Sequence, residues 1–223
     1  MDKLMFALWG ADRTGLRDRG LRDELAALGV RRLQLNVDDD DVAPALRLST
    51  GEQIAAVVST WSDGPRGTDD AAVAQALGRV APRVAGWRVD ERRRLDPPAV
   101  PDGERADALA NVALIRRPAD LAREEWLRRW MVEHTPVAIR TQATFGYIQN
   151  VVVEPVTPDA PRVDGLVEEL FPAAGMTDPH AFYGSSDDDD LRRRLGTLLA
   201  SVARIGADHD LDLVPSSRFL HEL

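Results

Sequence analysis

Several things are missing from this 223-residue chain, and each absence removes a class of chemistry. There is no cysteine. Disulfides, thiolate nucleophiles and cysteine-ligated zinc or iron–sulfur centres are therefore excluded together. Lys3 is the only lysine, all other basic side chains being arginine. That leaves almost no room for Schiff-base catalysis or a P-loop lysine. No glycine-rich G-x-G-x-x-G segment follows a strand, so a dinucleotide fingerprint is absent too. No run approaches the roughly twenty apolar residues of a membrane span. Residues 1–4 lack a basic segment leading into an apolar stretch, so no secretory signal is expected and the default location is cytoplasmic. Positive charge is also in deficit. The net charge of −9 argues against nucleic-acid and anionic-membrane partners, which need a clustered basic excess.

The residues present describe two similar halves. Hydrophobic residues make up 44% of the chain, enough for a packed core. A Pro/Gly/Asp-rich stretch at residues 96–103 divides it. We expect an N-terminal unit at 1–95, a linker at 96–107 and a C-terminal unit at 108–223. In the first unit, residues 4–9 read as a strand and 16–28 as a helix with Leu21, Leu25 and Leu28 inward, closed by Gly29. Residues 32–37 and 54–61 read as strands, 69–80 as a helix capped by Thr68 or Asp69, and 87–89 as a short fourth strand. In the second unit the same order recurs: strand 111–115, helix 121–134 ending before Pro136, strand 145–153, a weaker strand 165–171, helix 188–205 capped by Ser185 or Ser186, and a final strand at 211–220.

This is β-α-β-β-α-β twice, the ferredoxin-like arrangement, whose antiparallel sheet carries helices on one face and needs a cover on the other. The expected fold is α+β: two tandem ferredoxin-like units packed sheet to sheet as an internal pseudo-dimer. Such a chain is a monomer, or a homodimer formed through free sheet edges or helices.

Candidate chemistry concentrates in the second unit, which holds all four histidines and both tyrosines. The helix reading of residues 121–134 stacks Trp126, Trp130 and His134 on one stripe. His134 near a helix end is a candidate proton carrier, because burial and helix dipole act on it in opposite directions; alternatively it holds the turn before Pro136. Tyr147 alternates with Phe145 and Gln149 on one strand face. It either donates a hydrogen bond to a substrate oxygen or fills core. Trp126 and Trp130 are core anchors, ligand wall, or both. Asn111 in an apolar strand needs a partner, from a pocket or a loop. His180 and Tyr183 fall in an irregular segment that is either a lid or exposed loop. His209 reads as part of a turn, and the His221-Glu222 pair has no second histidine for a metal. The acidic runs at 38–41 and 187–190 lack the spacing and glycine of a calcium loop. A solvated loop and helix capping explain them, and arginines 92–94 and 192–194 read as solvated faces. No metal and no cofactor is expected.

One stretch carries a resemblance. Glu124-Glu125-Trp126-x3-Trp130-x2-Glu133-His134-x-Pro136-Val137-Ala138, then Phe145-Gly146-Tyr147-Ile148-Gln149-Asn150 and Asp164-Gly165-Leu166-Val167-Glu168, resembles the EthD family of the dimeric α+β barrel superfamily over roughly residues 108–220. It departs from the family pattern at Thr135 and Val137, where Gly or Ala and Leu are usual. The resemblance implies a barrel of two ferredoxin-like units and a pocket between the sheet and helices of one unit, faced by the His134 stripe. The wider superfamily includes cofactor-free monooxygenases, polyketide cyclases, muconolactone-type isomerases and haem-degrading enzymes. Three functions follow as expectations. The first is a cofactor-independent acid–base enzyme (cyclase, isomerase, decarboxylase or monooxygenase type) acting on a hydrophobic small molecule. His134 and Tyr147 would be catalytic there, with Trp126, Trp130, Asn111 and Tyr183 around the substrate. The second is a non-catalytic binder or accessory protein, the third a haem-handling protein.

Overall fold

The structure is a computed structural model that describes residues 1–64 and 68–223. Eight strands form one closed, wholly antiparallel barrel in the order β1-β3-β2-β8-β5-β7-β6-β4. They are β1 (Asp2–Trp9), β2 (Val30–Val37), β3 (Ala56–Ser62), β4 (Arg83–Leu95), β5 (Leu109–Ile115), β6 (Gly146–Pro155), β7 (Gly165–Phe171) and β8 (Asp212–Glu222). Each half contributes four neighbours in ferredoxin-like order, 4-1-3-2 by position within the half. The halves join where β2 pairs β8 and β4 pairs β6, the two seams being related by a pseudo-twofold. The expected double ferredoxin-like fold is therefore present. Its sheets do more than face each other, however. Their edges hydrogen-bond, so the described barrel leaves no free edge for dimerisation through strands.

Period-two alternation divides the core into layers. Leu4, Phe6 and Leu8 of β1 point outward under helices α1 (Arg13–Leu16), α2 (Arg19–Ala27) and α3 (Asp70–Leu77), while Met5, Ala7 and Trp9 point into the barrel. The barrel interior is filled by these with Val57, Trp87, Val112, Leu114, Leu166 and Val214. On the other outer face, β5, β6 and β7 are covered by α4 (Arg123–Arg128), a π-helical turn (Arg129–His134), α5 (Thr135–Thr141) and α7 (Asp188–Arg204), with the short α6 (Pro179–Tyr183) beside them. No helix among the described residues is long and apolar enough to cross a membrane.

Local signals place most of these elements. Gly29 leaves α2 at φ 93°, the left-handed conformation a side chain disfavours. Asp69 caps α3 through Ala71 N and Ala72 N. Asp187, rather than either preceding serine, caps α7, accepting from Asp190 N at 2.8 Å. Two further expectations change. β4 is thirteen residues long instead of a short strand at 87–89, because its polar second half runs on to pair with β6 of the other unit. Nor is the acidic run at 38–41 wholly solvated. Asp38 and Asp39 are buried, Asp38 bound by Arg47 at 2.5 Å and Asp39 by Arg17 and by Ser217 at 2.8 Å. The arginines at 92–94 and 192–194 are mostly exposed and paired with nearby acids and Gln149.

Candidate active site

The helix over the second sheet does not stop before Pro136. It passes through the π-helical turn and continues to Thr141, with Pro136 in the first turn of α5. Proline has no N–H to give to the carbonyl four residues back. The chain accommodates it by widening the preceding turn: Thr135 N–H bonds Trp130 O, five residues back, and Thr135 Oγ1 donates to the same carbonyl at 2.9 Å. The widened turn still keeps Trp126, Trp130 and His134 buried on the sheet side. It also places His134 mid-helix, away from the negative end that would favour its cation.

A cavity of about 120 Å³ lies between this helix, α7 and the sheet. Trp130, His134, Tyr147, Val167, Glu169 and Leu198 are among its lining residues. His134 Nδ1 lies 3.0 Å from Ser201 Oγ, and Nε2 has no hydrogen-bond partner among the described residues. Burial pushes the imidazole down to about 4, so it is neutral at physiological pH. When Ser201 donates to Nδ1, the hydrogen sits on Nε2 and the ring is a neutral donor there. Tyr147 is buried, its hydroxyl set against Thr135 and Trp130. Burial first, then the neighbouring Glu169 charge, pushes its phenol far above the ordinary value, so it keeps its proton.

Glu169, which sequence reasoning did not single out, is the one carboxyl among the described residues that line the cavity. Its Oε1 is buried without a hydrogen-bond partner among the described residues, and burial pushes the group up to about 7. It also raises Tyr183, after burial, so it lies near both tyrosines. A signal for it exists in the sequence: Glu168-Glu169 interrupts the otherwise apolar β7. Alternation sends one carboxylate to each face of the sheet, Glu168 into the barrel and Glu169 outward under the helices.

The remaining candidates divide. Trp126 does not line the cavity. It is wholly buried, gives Nε1–H to Ile205 O at 3.0 Å, and packs 5.0 Å from the Trp130 ring as core. Trp130 both lines the cavity and presses on β7: a Cβ on Gly165 would meet its ring at 2.5 Å, so glycine is required there. Asn111 and Tyr183 line a second hollow of about 240 Å³ with Met176 and Phe182, and Leu213 borders both hollows. Asn111 is 5% exposed and its Oδ1 has no hydrogen-bond partner among the described residues. His180 sits in α6, bonded to Ser185 and Asp188, and His209 is exposed beside Asp208. Among the described residues no cluster of acids and histidines has the arrangement of a metal site.

No protein-family model matches the chain, so the EthD resemblance gains no support from that comparison. No curated protein matches it either. Solved structures do. An anthrone oxidase-like protein superposes with a TM-score of 0.53 at 7% identity, covering 99% of this chain and 92% of that one. A candidate monooxygenase from Fusobacterium nucleatum subsp. nucleatum superposes with a TM-score of 0.51 at 9% identity, covering 99% and 93%. At such identities the likeness establishes architecture, and the architecture is a dimeric α+β barrel contained in one chain.

Proposed function

We propose that the chain is a cofactor-independent enzyme that removes a proton from a hydrophobic, carbonyl- or phenol-bearing small molecule in the cavity beneath the π-helical turn. The observation that carries this reading is the unpaired Glu169 carboxyl on that cavity, poised at about 7. A general base works best when its pKa lies near the working pH. His134, neutral and with Nε2 unbonded, is the donor to the substrate oxygen on which charge develops. Proton carriage thus passes from His134, the sequence's first candidate, to Glu169. Two titratable groups pushed apart in this way divide acid–base and electrostatic roles between them. Trp130 and Leu198 exclude water, and the second hollow, with Asn111 and Tyr183, extends the ligand space. An EthD-like relationship of residues 108–220 and the oxidase and monooxygenase names of the structural neighbours fit a reaction opened by proton removal. The haem reading has no observation at this hollow in its favour.

Anthrone supplies the test. Its oxidation by O2 gives anthraquinone and water, and begins with loss of a proton from the carbon opposite the carbonyl. Quinone formation is followed by absorbance in air. The expected result is turnover that rises through pH 7 and falls by about 10²–10⁴ in Glu169→Gln. Deuterium exchange at the same carbon without oxygen checks the proton step alone. Binding of anthrone with neither exchange nor oxidation would leave a binding protein and end the enzymatic reading.

A further inference from the structure

The barrel interior changes character at the end where β1 begins. Lys3, Arg32, Arg93 and Arg218 meet Glu91 and Glu168 there, and the bonds of both carboxylates can be followed. Glu91 Oε2 receives Lys3 Nζ at 2.8 Å and Trp61 Nε1 at 3.3 Å, while its Oε1 receives Arg93 Nε at 2.8 Å. Glu168 Oε1 receives Lys3 Nζ at 2.7 Å and Asn150 Nδ2 at 2.9 Å, and its Oε2 receives Gln34 Nε2 at 2.5 Å. Both acids are therefore satisfied without Arg32 or Arg218.

These two guanidiniums lack an anion. Arg218 is 7% exposed, donates only Nε–H, to Gln34 Oε1 at 3.0 Å, and has no carboxylate within ion-pair distance among the described residues. Arg32 makes neither hydrogen bond nor ion pair among them; its Nε is buried, and its guanidinium stacks 4.4 Å from the Trp61 ring centroid. Burial, with Arg93 and Arg32 close by, holds Arg218 below its ordinary value against the opposing pull of Glu168. A cavity of about 360 Å³ opens here, lined by Lys3, Arg32, Trp61, Asp90 and Glu91 among others; Arg218 is not on its wall but lies close to Arg32 and both glutamates. Each guanidinium carries five donors in a fork that matches a carboxylate or a phosphate. A buried cation without a partner is costly, and here Arg218 is one, with the half-buried Arg32 beside it, in a protein of net charge −9.

We propose that this end of the barrel binds a compact oxyanion, a carboxylate or phosphate carried on a small molecule, through Arg32 on the cavity wall, with Lys3 and Arg218 as the neighbouring cations. The site is separate from the Glu169 cavity, because Glu168 and Glu169 lie on opposite faces of β7.

Isothermal titration of the full chain with inorganic phosphate, and separately with benzoate, tests the assignment. Saturable heat with either is expected, and which of the two binds identifies the class of oxyanion. The dissociation constant should rise at least tenfold in Arg218→Met and in Arg32→Gln, the latter being a partly exposed position where folding is not at risk. The ligand-free melting temperature of Arg218→Met should stay level or rise, since an uncompensated buried charge has gone. No saturable heat with either anion overturns the proposal. So does unchanged affinity in both variants, or benzoate heat that vanishes in Glu169→Gln and persists in Arg218→Met, which would place the ligand in the other cavity.

Discussion

At the residue scale, His134 and Glu169 are displaced by the same cause in opposite senses, and stability should record both. His134 falls from 6.5 to about 4, so between those values the unfolded chain holds the extra proton and stability increases as pH rises. Glu169 climbs from 4.5 to about 7, so between those values the folded chain holds the extra proton and stability decreases as pH rises. Each slope amounts to about 3 kcal/mol at most, and they largely cancel between pH 4.5 and 6.5. Urea titrations at several pH values separate them. Relative to wild type, Glu169→Gln should gain stability steadily from pH 4.5 to 7, and His134→Gln should gain it as pH falls from 6.5 to 4. A constant offset for Glu169→Gln across that window would show that the carboxyl is not raised. The sequence made His134 visible because histidine in an apolar stripe is conspicuous. Glu169 was hidden because one of two adjacent glutamates in a strand reads as its solvated face, and only the covering helices show that both faces of β7 are buried.

At the element scale, the decisive feature is the widened turn before Pro136. A proline after a periodic stretch reads as a stop, and helix 121–134 ended there by that logic. What carries the helix past the proline is Thr135, at one of the two positions where the chain departs from the EthD pattern. Its hydroxyl donates to Trp130 O at 2.9 Å and accepts from Gln149 Nε2 at 2.9 Å; Arg94 Nε then donates to Gln149 Oε1 at 2.7 Å. The chain of bonds fastens the turn to β6 and reaches β4 of the other unit. Thr135→Val keeps the shape and removes the hydroxyl, leaving the Gln149 donor buried and unpaired. A loss of about 1–3 kcal/mol in chemical denaturation is expected. The His134 imidazole should titrate closer to its ordinary value by NMR as the turn loosens and water enters. Unchanged stability would mean that the turn holds through packing alone.

At the scale of the whole molecule, the repeated order of elements was enough to give two ferredoxin-like units and their pairing. It did not give the closure of their edges, because strand pairing across a seam depends on register between segments far apart in the chain. Nor did it give the length of β4, whose charged second half looks like loop until β6 lies beside it. Lys3 shows how far the closure integrates the halves. As the sole lysine it reads as an incidental terminal charge. In the barrel it is 2% exposed and ties Glu91 of the first unit to Glu168 and Asn150 of the second. Lys3→Met leaves two carboxylates facing each other without their shared cation. A cost of about 3–5 kcal/mol follows from removing one partner of a buried ion pair, and adding Glu168→Gln should recover part of it in a double-mutant cycle. Calorimetry adds a test of integration: if Lys3 couples the units, Lys3→Met melts earlier in one transition that takes both halves with it. Two separate transitions, with only the first unit shifted, would show that neither the seams nor the buried lysine couples the two units.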